Sequence, residues 1–268
     1  MSQQFDPELH RQMGVEADVV LRVGMLLMGA GTSGYRVLRG MKRSARALGF
    51  DHLDATVGLT QITCTFHRGE YFRTVIARQH SPAVDASRIE ALEDLTHNRL
   101  YAGITAQELA AMLDVIEFGV KKRWSGLVLS FAAAIACAAF AYLNFFPLEA
   151  VGLVALAAFA GQFVRYTVLH RHVHQIGGVI AGGATASIVF FLLTAFFGAI
   201  GSVDPSELSS GVVAAVLFLI PGFPLFSALI DIARFDLDAG IVRLGYAFTV
   251  IFTATFTVSM VSWLTQLT

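Results

Sequence analysis

From residue 124 to its end this chain is almost free of charge, and apolar stretches of about twenty residues follow one another there. No other feature restricts the possible folds so strongly. Hydrocarbon offers no hydrogen-bond partners to a backbone, so such stretches cross a membrane as helices, which satisfy their own N–H and C=O groups. Five of them can be marked, at 125–143, 148–165, 177–200, 208–230 and 242–265. The whole chain is 55% hydrophobic and 15% charged, with a mean hydropathy of +0.64, whereas a soluble domain carries about 25% charged residues. The charge that exists is concentrated in residues 1–123. The sequence therefore predicts an α-helical integral membrane protein with an N-terminal soluble α+β domain, 1–123, and a five-helix transmembrane domain, 124–268, one helix of which is broken at Pro-Gly-Phe-Pro.

The fourth stretch is interrupted by Pro221, Gly222 and Pro224, and the following two turns end in Asp231, Arg234, Asp236, Asp238 and Arg243. Proline lacks an amide N–H and clashes with the preceding turn, so a regular helix through both prolines is not expected. The carbonyls it frees need partners at membrane depth, and broken helices are tolerated there where they line a cavity or pack in protein. The functional reading is an element of a substrate pathway; the plainer one is a packing kink or a short reentrant turn. Asp231 lies about three helical turns after Pro221. Arg243 opens the next span at the same level, so the two can meet across the loop between them, as a substrate or gate element or as a structural salt bridge.

Loop charges orient the chain. Lys121, Lys122, Arg123, Arg165, Arg171, Arg234 and Arg243 fall at one end of the spans, and the opposite ends carry no Lys or Arg. The soluble domain is then cytoplasmic, and an odd number of spans sends the C-terminus outside. The opening, MSQQFDPELHRQ, is polar and unlike a signal peptide. A net charge of -1 and the absence of a basic tract argue against a nucleic-acid partner. The two cysteines, Cys64 and Cys137, fall in different halves and suggest neither a disulfide framework nor a metal pair.

Within 1–123 a first helix is expected over 8–31 and a basic one over 34–48, joined by a tight Gly-rich turn, Gly29–Gly34. No strand precedes that turn and no Lys-Ser/Thr completes a phosphate loop. The basic helix carries Arg36, Arg39, Lys42, Arg43 and Arg46, fit for water, headgroups or an anion. Strands are expected over 54–66 and 70–79. The apolar phase switches near Gly58–Gln61, which suggests a bulge, and Pro82 closes the hairpin region. Helices should follow from Asp85 to about Tyr101 and over 106–119, the latter opened by a capping box at Thr105 and Glu108. No Ser/His/Asp or zinc constellation is visible, which argues against an enzyme. His170, His172 and His174 form a cluster in a basic loop without a fourth ligand, so no metal or cofactor is expected. Small residues at 132–139 and 177–186 suit close helix packing, and the hydroxyls of Thr249, Thr253, Thr255, Thr257 and Ser259 can bond their own helix.

Two separated segments carry a family resemblance. GMLLMGAGTSGYRVLRGMKRSARALGF resembles the opening helix pair of the threonine/serine exporter (ThrE) family, and LIPGFPLFSALIDIARFDLDAGIVR resembles its Pro-Gly-x-Pro, Asp and Gly-x-x-Arg signature. In length the chain is similar to the larger subunit of the family's split, two-component dicarboxylate exporters. The resemblance implies a secondary exporter subunit in a bacterial inner membrane. It also implies small polar cargo, either threonine- and serine-like amino acids or succinate-like dicarboxylates. A short membrane protein would supply the second half, and homo-oligomers are expected. It carries over Arg165, Pro221, Gly222, Pro224, Asp231, Gly240 and Arg243 as substrate or gating positions, and Tyr35 and Arg36 as a motif of the cytoplasmic domain. Arg165 and Arg243 would offer cations to a carboxylate. The alternatives are a membrane-anchored enzyme, or a sensor or assembly scaffold whose cytoplasmic domain binds a ligand or partner.

Overall fold

A computed structural model describes residues 7–79, 84–121, 123–171, 173–200 and 211–266. Pro82, Lys122, His172, the segment 201–210 and the last two residues lie outside the described residues. The chain forms two compact units: Met1–Arg123 with Phe223–Gly245, and Trp124–Gly222 with Tyr246–Thr268.

The first unit begins with helix α1, Pro7–Gly29, and helix α2, Gly34–Ala47. Between them Gly31 takes a φ of +91°, a left-handed conformation that glycine reaches without a Cβ clash. Strands β1 (His52–Val57), β2 (Gln61–Arg68) and β3 (Tyr71–Arg78) form an antiparallel meander. The single strand expected over 54–66 is thus two. Val57 pairs with Ile62, and the Gly58 N–H donates to the Gln61 carbonyl at 2.8 Å. The switch in apolar phase is a hairpin reversal rather than a bulge, because a tight turn resets the alternation in the same way. Helix α3, Ala86–Asp94, runs into a single π turn, Leu95–Arg99. Helix α4, Ala106–Gly119, opens with both halves of its capping box formed.

Alternation along β2 drives Ile62, Cys64 and Phe66 to one face of the sheet. Met13, Val20 and Leu27, spaced at helical heptads along α1, meet them in one core with Val37, Met41, Leu92, Leu109 and Leu113. Burial pushes the Cys64 thiol up to about 12, since a thiolate there would lose its hydration. The charged faces pair locally: Arg22 with Asp114 and Glu117, Arg39 with Glu93, and Arg68 with Glu16.

The second unit contains α5 (Gly126–Leu143), α6 (Leu148–His170), α7 (Gln175–Ala199) and the short α8 (Gly211–Ala215). Its core is mostly alanine: Ala141, Ala150, Ala157, Ala158, Ala214 and Ala215 around Val154 and Phe190. A Cβ on Gly161 would stand 2.7 Å from both the Gly182 carbonyl oxygen and the Ala186 Cβ, so α6 and α7 touch backbone to backbone. The outward faces carry Phe131, Ile135, Leu156, Leu192 and Phe196. Buried small residues inside and exposed large apolar ones outside are the arrangement hydrocarbon favours.

Among the described residues four helices are long and apolar enough to cross a membrane: Gly126–Leu143, Leu148–His170, Gln175–Ala199 and Leu237–Thr265. The remaining expected span, 208–230, is not one helix. From Gly211 it runs as α8, a 3₁₀ turn at Leu217–Leu219 and helix α9, Gly222–Ala233. The last helix, α10, is Leu237–Gln266 and starts five residues before the expected 242.

Candidate functional site

The break itself lies in the second unit. Ile220 takes φ −61° and ψ 125°, the extended conformation that a following proline imposes. The Gly222 N–H turns back to the Ile220 carbonyl at 2.9 Å, and a regular helical bond to Phe218 is not made. Pro221 alone makes the interruption. Pro224 sits in the first turn of α9, where its missing N–H has no intrahelical partner to lose. No regular helix runs through both prolines, as expected, although Pro224 itself does not interrupt one.

The Phe218 carbonyl freed by the break receives Arg165 Nη1 at 3.2 Å. Arg165 was expected at the end of a span that closes there, but α6 continues to His170, so this guanidinium lies inside a membrane-length helix. A Cβ on Gly182 of α7 would stand 3.0 Å from the Arg165 Cβ, so the side chain emerges against glycine backbone. The Tyr246 phenol is within its electrostatic reach. Arg165 Nε is buried without a hydrogen bond, as is the Gln162 Oε1 three residues before it. The Leu217 and Phe218 backbone N–H groups donate toward the Cys137 sulfur of α5. A guanidinium has five N–H donors. Among the described residues this one meets a carbonyl oxygen and no carboxylate.

The remaining expected positions gather in the first unit. Helix α9 ends in a pair of crossed bonds, Asp236 N–H to the Asp231 carbonyl and Phe235 N–H to that of Ile232, both 3.0 Å. Phe235 occupies the left-handed position usual for glycine in this cap, with φ +62°. The tight turn brings α10 back along α9. A Cβ on Gly240 would meet the Ile232 nitrogen at 3.1 Å and the Ala228 oxygen at 3.2 Å. The hairpin thereby sets Arg243 beside Asp231, with Nη1 3.2 Å from Oδ2 and side-chain exposures of 5% and 0%.

The pair is anchored on the turn before α2. Arg243 Nη1 donates to the Thr32 carbonyl at 2.9 Å. The Gly34 and Tyr35 N–H groups donate to the two Asp231 carboxylate oxygens at 3.3 and 3.5 Å. A carboxylate at a helix N-terminus meets unpaired amides and the positive end of the helix dipole. The Tyr35 ring lies under the Arg234 guanidinium, 3.7 Å from the centroid. Arg36 is exposed and stands outside the cluster. Gly222 has no atom within 4 Å of a Cβ built on it, so no contact there requires glycine.

Asp231 and Arg243 are close along the chain, and helical spacing was enough to bring them together. Their third partner was not foreseen, since the α2 amides lie 197 and 196 residues away. The only sequence signal for it is the Gly-Thr-Ser-Gly turn ahead of Tyr35. The attachment of Arg165 to Phe218 was missed too, although the principle that a freed carbonyl needs a donor applies there. Among the described residues no group of three His, Cys, Asp or Glu side chains could hold a metal ion, and His172 lies outside them.

Two curated proteins resemble this chain. One, from Escherichia coli K12, is named "Probable succinate transporter subunit YjjP"; it is 22% identical over 237 residues, 85% of this chain and 86% of that protein. A protein of the same name from Klebsiella aerogenes is 23% identical over 208 residues, 76% of each chain. No solved structure matches the chain. The family described as "Putative threonine/serine exporter" matches residues 18–265, nearly the whole sequence, and the chain belongs to that exporter family.

Proposed function

We propose that this chain is one subunit of a secondary-active exporter for small polar metabolites bearing a carboxylate, of the threonine and serine or the succinate type. The observation that carries the reading is Arg165. An arginine inside an apolar helix bundle is costly, and such residues mark substrate or ion paths when their charge is not cancelled. This one is fixed by the carbonyl freed at Pro221 and, among the described residues, has no carboxylate beside it. A substrate carboxylate supplies the missing charge, and the planar guanidinium reads it bidentately. The names of the two relatives, both succinate transporter subunits, support a dicarboxylate cargo and a partner.

The chain works in a bacterial inner membrane, with residues 1–123 and the basic loop ends in the cytoplasm and the C-terminus outside. The interrupted stretch 208–230 counts as the fourth of five crossings. A short membrane protein supplies the second half, the complex contains several copies, and an ion gradient drives efflux. Arg165, Pro221 and Tyr246 form one candidate substrate site, and Asp231, Gly240 and Arg243 form a separate candidate gating cluster.

Counterflow of labelled succinate and threonine in proteoliposomes, with and without the short partner, tests this. Arg165→Lys should leave the folded yield intact and lower transport at least about tenfold, because a point charge cannot replace the fork. Full transport by Arg165→Lys would remove the carrying observation. Saturable binding without any counterflow would instead favour a membrane-anchored sensor.

A further inference from the structure

The turn before α2 holds more donor capacity than Asp231 uses. Ser33 stands at the cap position of α2, yet its side chain makes no cap hydrogen bond, and its Oγ is buried without a partner among the described residues, at 4% residue exposure. Arg243 is 4% exposed, and its Nε is likewise buried without a hydrogen bond. Its Nη2 lies 3.6 Å from where a Cβ on Gly34 would stand. The Gly34 and Tyr35 amides reach Asp231 only at 3.3 and 3.5 Å, long for N–H groups facing a charged acceptor, which prefer 2.7–2.9 Å.

Two amides at a helix start, a buried hydroxyl and a buried guanidinium are together the donor set of a carboxylate or other small anion site. Here the anion is the protein's own, paired with Arg243 but only distantly engaged by the two amides. Asp236 is the second acid at this place, its Oδ2 3.4 Å from the Gly34 Cβ position, but its other oxygen caps α10 through the Ala239 N–H. Arg234 is engaged on the Tyr35 ring.

We propose that Ser33, the Gly34 and Tyr35 amides and Arg243 form a second carboxylate-binding site, distinct from Arg165, which Asp231 fills in this conformation. A small carboxylate entering it displaces Asp231 and releases the Phe223–Gly245 hairpin from α2. The choice of a carboxylate rests on the function proposed above. The site itself does not, because its donors and their geometry are independent of Arg165.

The test uses the full chain in lipid nanodiscs, with Arg165→Lys present throughout so that the other cation does not dominate. Sodium succinate and sodium acetate are titrated against sodium chloride of equal ionic strength, and binding is read by calorimetry and thermal shift. Asp231→Ala vacates the site, so it should bind succinate or acetate at least about tenfold more tightly than the protein retaining Asp231, whose open fraction limits its apparent affinity. Arg243→Ala or Ser33→Ala added to Asp231→Ala should weaken that binding. Asp231→Asn, which keeps the side-chain shape, should show a smaller gain and secures the test if Asp231→Ala yields little folded protein. Equal affinities with and without Asp231, or a gain indifferent to Arg243, would overturn the site. Failure of both Asp231 variants to fold in the presence of acetate would overturn it as well, since acetate should then stand in for the missing carboxylate. Transport failure of Arg165→Lys has no bearing on these readings, so the two proposals fail separately.

Discussion

Removing Arg243 strands the Asp231 carboxylate, which has 0% side-chain exposure and, among the described residues, two long amide contacts besides the guanidinium. Breaking a buried ion pair by deleting one member costs about 3–5 kcal/mol, mostly because the other charge is left uncompensated. In a chain of this length each kcal/mol moves Tm by about 2–4 °C, so Arg243→Ala should lower it by roughly 6–20 °C. Asp231→Ala should cost a similar amount: it strands the guanidinium on the Thr32 carbonyl, and it uncaps α2, worth about 1 kcal/mol more. The double variant leaves no buried charge at the node. Its loss should fall short of the sum of the single losses by up to about 3 kcal/mol. The assay is thermal unfolding of the purified protein in detergent, followed through Trp124 and Trp263. Strictly additive losses, or an Arg243→Ala protein as stable as the parent, would refute the claim that this pair holds the hairpin on α2.

Three further outcomes follow from single contacts. Gly240→Ala should destabilise the protein by about 1–3 kcal/mol through overpacking against the α9 backbone, whereas Gly222→Ala, which meets nothing, should leave Tm unchanged; parallel melts of the two compare them directly. Phe235→Gly should raise stability by about 1 kcal/mol by relieving the left-handed strain at the end of α9; a fall in Tm would mean that the ring, 90% exposed, has a packing role in the assembly. Cys64, buried and with its thiol pushed up to about 12, stays protonated at pH 8, so mass spectrometry should find it unmodified by iodoacetamide in native protein and alkylated after denaturation; rapid native labelling would contradict the core packing around β2.

Hydropathy along the chain by itself determined that this is a helical membrane protein. Twenty uncharged residues have few other stable states, and that constraint is local to each stretch. Local chemistry also determined the capping box of α4, the start of α2 and the interruption at Pro221, because each depends on residues within a turn of one another. The first strand was read wrongly for the same reason: a phase switch over four residues is compatible with a bulge or a reversal, and only the pairing of Val57 with Ile62 decides between them. Ten residues of helix and a short loop were enough to suggest that Asp231 and Arg243 meet.

What only the tertiary structure decided is what those two charges meet besides each other. The third corner of the node is a pair of backbone amides almost two hundred residues earlier, and amides carry no residue identity that a sequence pattern could flag. The same holds for Arg165, whose partner is the Phe218 carbonyl, and for the close approach of Gly161 to Gly182, which depends on how two helices cross. Nor could hydropathy assign Phe223–Gly245 to the compact unit of residues 1–123. Membership follows from which side chains find partners, and the buried charge of Asp231 finds its own at the start of α2.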